Sequence, residues 1–321
     1  MPKVSIIVPA YNEGARIIKC LNSLVNQTFS DIEIVVVDDG STDDTLDILN
    51  NYNNDKLVIL SKENGGQGSA RNLALKKSKG EYIMFVDADD YVDETIVEKL
   101  YNSVLNENAD ISVCDIYKVI NGKTYIFNNF DYFTSDNVLN LMMSHPGPVA
   151  RLYKKDLFIK NNIYFVEGKI NEDLGTIPLL GIYANKVSYI KEPLYYYIIH
   201  DNSTTKPKKY NKKLEDIFYI LEYLTDEFNK RSNEKYKDVL EYLYIEHLLY
   251  SASLIFMSFD EGIEQINKIR KIIKKKFFSW KHNKFYKQKS IKFKLICNLI
   301  YSGQLWIVKK LKKFRKWEVY D

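Results

Sequence analysis

The feature that most constrains the fold is a series of uninterrupted apolar runs within the first hundred residues. The runs in "KVSIIVPAY", "DIEIVVVDDG" and "EYIMFVDAD" lack the polar–apolar alternation of a strand with one face in water. Such strands are buried on both faces, which is typical of parallel sheets covered by helices. The segments between them, such as "ARIIKCLNSLVNQT" and "SARNLALKKSK", are predicted to be helices. The pattern predicts an α/β fold with a Rossmann-like, mostly parallel sheet flanked by helices.

A later change of pattern divides the chain. "ADISVCDIYKV" and "NKVSYIKEPLYYYIIH" are predicted to be further strands of the same sheet, and "STDDTLDILNNY" a helix that opens on a Ser or Thr cap. From about Asn211 the pattern is helical, as in "LEDIFYILEYLTDEF". The shift in composition between Lys206 and Lys213 predicts an α/β domain over residues 1–210 and a C-terminal helical extension over residues 211–321.

The cysteines and the apolar stretches indicate in which cellular compartment the protein is expected. Cys20, Cys114 and Cys297 are odd in number and far apart, so they form neither a metal-binding spacing nor a disulfide framework. The N-terminus lacks the basic and apolar regions of a signal peptide. The nearest approach to a membrane span, Leu295 to Val308, is shorter than the roughly 18 apolar residues required and contains polar residues. We therefore expect a cytoplasmic protein that does not span the membrane.

The charge distribution is asymmetric. The net charge is +4, but the 18 Lys and Arg residues between Gln265 and Trp317 are accompanied by no Asp or Glu. The rest of the chain has 28 basic residues, against 42 acidic residues in the whole chain. The chain therefore consists of an acidic main part and a basic C-terminal tail, residues 265–317. Because aromatic residues and Ile are mixed with the bases, three interpretations stay open. They are an interfacial segment on anionic lipid, a nucleic-acid-binding patch, and a helical hairpin with a solvated basic face.

Acidic and polar residues follow three of the predicted strands, at positions 9–13, 38–41 and 87–90. In an open parallel sheet these strand ends meet at one edge, where ligands bind. Asp87 and Asp89 would share a face of an extended segment, and clustered carboxylates repel each other unless a cation joins them. Two carboxylates with a substrate's phosphate oxygens form an incomplete cage for Mg²⁺ or Mn²⁺. For Asp90 and Asp93, turn and helix-cap roles are the favoured interpretation.

Four motifs, in this order, resemble the family 2 inverting glycosyltransferases of the bacterial surface-polysaccharide type: "VSIIVPAYNE", "VVVDDGSTDDT", "NGGQGSARNLAL" and "FVDADD". The resemblance covers about residues 1–205 and implies the GT-A fold. It also implies metal-dependent transfer of a sugar from a nucleotide-diphosphate sugar, expected to be a UDP-sugar, to a hydroxyl of a growing surface glycan. The competing hypothesis is a catalytically silent relative that binds nucleotide sugars as the scaffold of a glycan-assembly complex.

The resemblance implies a set of donor-binding residues. Tyr11 would supply a face for stacking, Asp39 would accept the uracil N–H, and Arg71 would place a permanent charge near the nucleotide. A packed surface aromatic remains an alternative for Tyr11, and a plain glycine turn remains one for Gly65. The expected donor contacts are Pro9, Tyr11, Glu13, Asp39, Asn64, Gly65, Arg71, Asp87, Ala88, His200 and Ser203.

The stretch "YYYIIHDNSTTK" resembles a mobile loop that closes over the diphosphate in similar transferases. It implies that Ser203 donates to a phosphate and that His200 joins Asp89 in holding a Mn²⁺ or Mg²⁺ ion. A solvent-exposed loop histidine is the alternative for His200. The chain departs from the family at Ile198, where Arg is common, which affects the expected phosphate contact.

The stretch "EGKINEDLG" resembles the motif that carries the catalytic base. We expect Asp173 to take the proton of the acceptor hydroxyl and Glu172 to orient the acceptor or tune the base, with an exposed acidic turn as the alternative. Lipid-linked acceptors are frequent among similar transferases. We therefore expect the basic tail to contact the inner face of the cell membrane peripherally, and we expect no nucleic-acid partner.

Overall fold

The computed structural model describes residues 1–130, 134–199, 209–232 and 234–314 of the 321-residue chain. The chain divides into two compact units, residues 1–203 and residues 204–321. The boundary predicted between Lys206 and Lys213 falls partly outside the described residues, and the roles predicted for the two regions stay predictions.

The first unit is a mixed sheet with helices packed against it. Its strands are β1 (Val4–Ala10), β2 (Ile32–Asp38), β3 (Leu57–Ser61), β4 (Tyr82–Phe85), β5 (Tyr91–Val92), β6 (Ile111–Ile120), β7 (Lys123–Phe127), β8 (Arg151–Lys154) and β9 (Val187–Ile198). Its helices are α1 (Arg16–Val25), α2 (Thr45–Asn51), α3 (Gln67–Lys77), α4 (Ile96–Glu107), α5 (Asn137–Met143), α6 (Asp156–Ile159) and α7 (Ile177–Tyr183).

The strand order is β3-β2-β1-β4-β8-β6-β9-β5, and β7 pairs with β6. Strands β1 to β4 run parallel to one another, with Val4 paired to Ile32 on one side and to Tyr82 on the other. The carboxyl ends of β1, β2 and β4 therefore lie at one edge of the sheet, which is where ligands bind in such folds. The predicted α/β class is confirmed.

The sheet beyond β4 departs from the parallel pattern. Strand β8 pairs antiparallel with both β4 and β6, and β5 pairs antiparallel with β9, whereas β6 and β9 are parallel. Neither β8 nor β5 was expected from the sequence. The segment "RLYK" of β8 has two basic residues in four and no apolar run, and β5 has only two residues.

Both faces of the sheet are packed. On one face, Ile17 and Leu21 of α1 and Leu100 of α4 join alternate strand residues in one buried cluster. On the other face, Phe85 meets the rings of Tyr153, Phe158 and Phe165 edge-on, with centroid distances of 6.0, 5.9 and 5.3 Å. This aromatic cluster holds the segment around residue 165 against the sheet. The cysteines at positions 20, 114 and 297 are buried free thiols, in agreement with the absence of a disulfide framework.

The second unit is helical, as predicted. Its helices are α8 (Asp216–Ser232), α9 (Lys237–Leu243), a π-helical stretch (Tyr244–Ala252), α10 (Ser253–Phe256), α11 (Gly262–Lys276), α12 (Lys284–Gln288), α13 (Ile291–Ser302) and α14 (Leu305–Phe314), with short 3₁₀ turns at Lys212–Glu215 and Trp280–His282. Within the described ranges, no helix has the length and hydropathy needed to cross a bilayer.

Candidate active site

Side-chain hydrogen bonds join the loops that follow β1 and β2. Asn12 has a left-handed φ of 54°. Its backbone N–H donates to Ser41 Oγ at 3.0 Å, and its side-chain Oδ1 accepts from the N–H of Thr42 at 2.7 Å. The N–H of Glu13 donates to Thr45 Oγ1 at 2.9 Å. The expected Ser or Thr cap on α2 is therefore wrong. These side chains serve the β1 loop, and α2 begins at Thr45 with no side-chain cap hydrogen bond.

The residues after β1 form one side of the edge. Pro9 is buried in β1, and Tyr11 is 46% exposed, so its ring is accessible. Glu13 Oε2 lies 3.0 Å from Arg16 Nε. Burial raises the pKa of Glu13 to about 7, aided by the negative charge of Asp89 and opposed by Arg16. The carboxylates of Glu13 and Asp89 therefore lie close enough for their negative charges to repel each other.

Asp39 organises the glycine-rich loop. Its buried carboxylate accepts hydrogen bonds from Lys62 Nζ at 2.8 Å, from the N–H of Gly65 at 3.0 Å and from the N–H of Gly66 at 2.7 Å. Asn64 Nδ2 donates to its backbone carbonyl at 2.9 Å. Gly66 has a φ of 86°, which a residue with a Cβ rarely adopts. The residue expected to accept a nucleobase N–H thus uses both carboxylate oxygens on the protein's own loop.

Asp87 is held by two side chains from the first two turns of α3. Its Oδ1 accepts from Arg71 Nη2 at 2.8 Å and from Gln67 Nε2 at 3.0 Å. Ala88 is buried, and Asp89 is half-buried next to it. Gln67 was not identified from the sequence, although its position four residues before Arg71 places both side chains on one helical face.

Arg71 links this strand end to the motif expected to hold the base. It is 2% exposed, and its Nη1 donates to Glu172 Oε1 at 2.8 Å while its Nη2 donates to Asp87. The ring of Phe165 lies 5.3 Å from the guanidinium carbon. Burial alone would lower the pKa of Arg71, but Asp87, Glu172 and Asp173 raise it above its ordinary value. One buried guanidinium therefore pairs with carboxylates from two distant parts of the chain.

Glu172 and Asp173 have different environments. Burial raises the pKa of Glu172 to about 7, the charge of Asp173 adds to this, and Arg71 opposes it. Asp173 is half-buried, and its Oδ1 accepts from the N–H of Leu174 at 2.8 Å. Gly68 of α3 allows the close approach, because a Cβ there would lie 3.1 Å from Glu172 Cγ. Of the two acidic side chains, Asp173 is the one that solvent reaches.

Asp90 and Asp93 come shortly after Asp87 and Asp89 in the chain. Asp93 Oδ1 accepts from the N–H of Thr95 at 2.9 Å, which is the turn role expected before α4. Asp90 does not cap a helix. Its buried carboxylate accepts from the hydroxyl of Tyr195 and from the N–H of Ile198, both at 2.7 Å and both on β9. The sequence indicated neither partner, since nothing in "YYYIIH" shows which tyrosine faces inward.

His200 and Ser203, expected to contact the cation and the diphosphate, lie outside the described residues. Among the residues described, no three His, Cys, Asp or Glu side chains gather closely enough to form a metal site from protein ligands alone. The acidic edge instead supplies hard oxygen ligands of the kind that suit an ion completed by a substrate's phosphates.

Comparisons with known proteins agree with these features. The model of the family "Glycosyl transferase family 2" matches residues 5–161. Glycosyltransferase GlyG of Streptococcus pneumoniae is 31% identical over 212 residues, which cover 60% of this chain and 70% of GlyG. The poly(ribitol-phosphate) beta-N-acetylglucosaminyltransferase TarS of Staphylococcus aureus is 32% identical over 246 residues, which cover 74% of this chain and 43% of TarS. The chain therefore spans most of GlyG but less than half of TarS.

A solved structure supports the fold. The crystal structure of S. aureus TarS 1-349 in complex with UDP-GlcNAc has a TM-score of 0.68 to this chain, with 22% sequence identity, and the similarity covers 94% of this chain and 92% of that one. At this level of identity the likeness concerns the fold alone. It confirms the GT-A fold expected from the four motifs.

Proposed function

The chain belongs to glycosyl transferase family 2, and on this basis we propose that it transfers a sugar from a UDP-sugar to a hydroxyl of a bacterial surface glycan. In this proposal the transfer depends on a divalent cation and inverts the configuration at the anomeric carbon of the sugar. Two comparisons support the donor and acceptor classes. TarS has been solved with UDP-GlcNAc, and its name describes transfer to poly(ribitol-phosphate).

The observation that carries the proposal is the double contact of Arg71. Inverting transfer takes place in one displacement, so the donor and the base must be held at a fixed separation. Arg71 donates to Asp87 and to Glu172, both at 2.8 Å, and Glu172 is the direct neighbour of Asp173. A buried ion-pair network of this kind positions groups well, although it adds little to stability compared with an apolar core.

The two acidic residues take different roles in this proposal. Asp173 is half-exposed, so an acceptor hydroxyl can reach it, and it accepts that proton as the oxygen attacks the sugar carbon. Glu172 is buried and paired with Arg71, so it positions the base and does not exchange protons with the acceptor. Tyr11 offers an exposed ring face for the nucleobase. Asp39 keeps the glycine loop in place around the nucleotide.

Asp89 would hold the Mg²⁺ or Mn²⁺ ion together with diphosphate oxygens of the donor. The acidic edge fits a cation because three acidic side chains, Glu13, Asp87 and Asp89, influence one another there: burial raises the pKa of Glu13 to about 7, and the negative charges of Asp89 and, to a smaller extent, Asp87 add to this. When bound, such an ion neutralises the charge of the departing diphosphate. The chain's own residues then bind the nucleotide, orient the acceptor and remove its proton.

The second unit supports the proposed contact with the membrane. Helix α13 buries Phe293, Ile296, Cys297 and Ile300, yet it also presents apolar residues to solvent. Ile291 is 83% exposed, Leu295 is 49% exposed, and both lie on one stripe, since they are four residues apart. At 100° per residue, Lys292 and Lys294 flank this stripe. An apolar stripe between lysines suits the surface of an anionic bilayer, whereas a free polyanion would need only the lysines.

A panel of nucleotide sugars tests the proposed reaction. We expect UDP-GlcNAc or another UDP-sugar to raise the melting temperature in the presence of MnCl₂, and GDP-mannose not to do so. Incubation with the stabilising donor should release UDP slowly even without acceptor. Binding without any turnover would favour the silent scaffold. Undiminished turnover in EDTA would contradict the role of the cation, and NMR of a transferred sugar with retained configuration would contradict inversion.

A further inference from the structure

We propose that Tyr195 and Asp90 are positioning residues that set the Asp87–Asp89 turn from strand β9, and thereby determine how well a cation and a nucleotide bind together. The inference rests on the proposed function, because it assumes that this turn meets the donor. Neither residue touches substrate in this proposal. Both act by fixing the backbone of the turn, and with it the positions of the Asp87 and Asp89 carboxylates.

The two residues form a continuous chain of buried hydrogen bonds. The hydroxyl of Tyr195, which is fully buried, donates to Asp90 Oδ2 at 2.7 Å. The same hydroxyl accepts from the backbone N–H of Asp87 at 3.1 Å. Asp90 Oδ1 accepts from the N–H of Ile198 at 2.7 Å. A buried carboxylate with both oxygens satisfied is expected to have one well-defined geometry.

These side-chain hydrogen bonds attach the turn to β9 in addition to the backbone pairing between β5 and β9. Strand β5 pairs Tyr91 with Tyr196 and Val92 with Tyr195, so the backbone after the turn is already attached to β9. The turn itself closes through a bond from the N–H of Asp90 to the carbonyl of Asp87 at 3.1 Å. Tyr195 adds the contact at the start of the turn, where the strand ends. Without it, the N–H of Asp87 would lose its hydrogen-bond acceptor.

The placement matters because Asp87, two residues before Asp89, is fixed from two different elements. Arg71 and Gln67 hold the Asp87 carboxylate from α3, and Tyr195 holds its backbone from β9. A cation shared between protein and diphosphate needs its ligands in place before it binds, since reordering them reduces affinity. Loosening the backbone is therefore expected to weaken the cooperation between cation and nucleotide more than the binding of nucleotide alone.

The test compares Tyr195→Phe with Tyr196→Phe. Both substitutions remove one hydroxyl from adjacent residues of the same strand, but only the first removes the bonds to Asp87 and Asp90. Isothermal titration gives the UDP affinity with and without MnCl₂, and circular dichroism checks folding. We expect the gain in UDP affinity on adding Mn²⁺ to fall about fivefold to tenfold in Tyr195→Phe, because the hydrogen bonds to Asp87 and Asp90 are both lost, and to be unchanged in Tyr196→Phe.

Each outcome decides between the inference and the proposed function. If the wild-type protein shows the Mn²⁺ effect and Tyr195→Phe shows it undiminished, the inference is overturned and the proposed function stands. If the wild-type protein binds no UDP, the proposed function fails and the inference fails with it. A lower melting temperature with an intact Mn²⁺ effect would assign Tyr195 to stability alone. Should Tyr195→Phe fail to fold, Asp90→Asn is measured in the same way and judged by the same criteria.

Discussion

The raised pKa of Glu172 predicts a specific dependence of stability on pH. An isolated glutamate has a pKa of 4.5, whereas burial and Asp173 raise that of Glu172 to about 7 in the folded protein. The folded state therefore binds the proton more tightly than the unfolded state. Between pH 4.5 and 7, the contribution of Glu172 to the free energy of unfolding falls as the pH rises, and the full loss is present above pH 7.

The magnitude follows from the two pKa values. At 1.36 kcal/mol per pKa unit, a pKa of about 7 against 4.5 corresponds to a total loss of about 3 kcal/mol, most of which falls between pH 5 and pH 8. The variant Glu172→Gln cannot ionise, so it lacks this loss. The free energy of unfolding of the variant minus that of the wild type should therefore be higher at pH 8 than at pH 5 by about 2 to 3 kcal/mol. Any constant effect of the lost Arg71 contact cancels in this double difference.

Urea unfolding at pH 5, 6, 7 and 8 checks the prediction. Far-UV circular dichroism is the suitable signal, because all three tryptophans, at positions 280, 306 and 317, belong to the second unit. Glu63→Gln serves as the control, since it makes the same chemical change at an exposed position. A flat difference for Glu172→Gln, or one that decreases toward pH 8, would refute the reasoning.

Four further variants test the site and the second unit. Asp173→Asn should keep UDP binding yet lower transfer by about 10²- to 10⁴-fold, and normal turnover would remove the assignment of the base. Asp89→Ala should abolish the Mn²⁺-dependent gain in UDP affinity measured by titration, so a retained gain would contradict its role. Arg71→Met should lower the free energy of unfolding by about 3–5 kcal/mol, because two carboxylates lose their buried partner, and urea denaturation measures this. Replacing Ile291 and Leu295 together by Glu should reduce sedimentation with phosphatidylglycerol vesicles at unchanged stability, and unchanged sedimentation would exclude α13 as the contact.

The sequence predicted the parallel part of the sheet because the pattern there has a single physical cause. Strands β1, β2 and β4 are buried on both faces, so their apolar runs are continuous and their polar ends are abrupt. Strand β8 gives no such signal, since it is short and includes Arg151, which is fully buried despite its charge. Tertiary packing, not local preference, makes that segment a strand.

For the candidate site, the sequence predicted residue types better than their partners. The expected nucleotide contacts of Asp39 and Arg71 stay predictions. What the sequence did not indicate is that Asp39 holds Gly65 and Gly66 and that Arg71 pairs with Glu172, 101 residues away in the chain. No local pattern encodes a contact at that separation. Likewise, the alternation of a strand shows that Tyr195 and Tyr196 face opposite sides, but not which of them is buried.

The bridge made by Arg71 restricts how this protein can be redesigned or can diverge. In the proposed function, the acceptor meets the segment around Glu172 and the donor meets the surroundings of Asp87. Because one guanidinium contacts both carboxylates, a change on either side shifts the electrostatic balance of the other. Substitutions on the two sides are therefore expected to be epistatic. Variants that alter both specificities should be recovered more readily from paired libraries than from successive single ones.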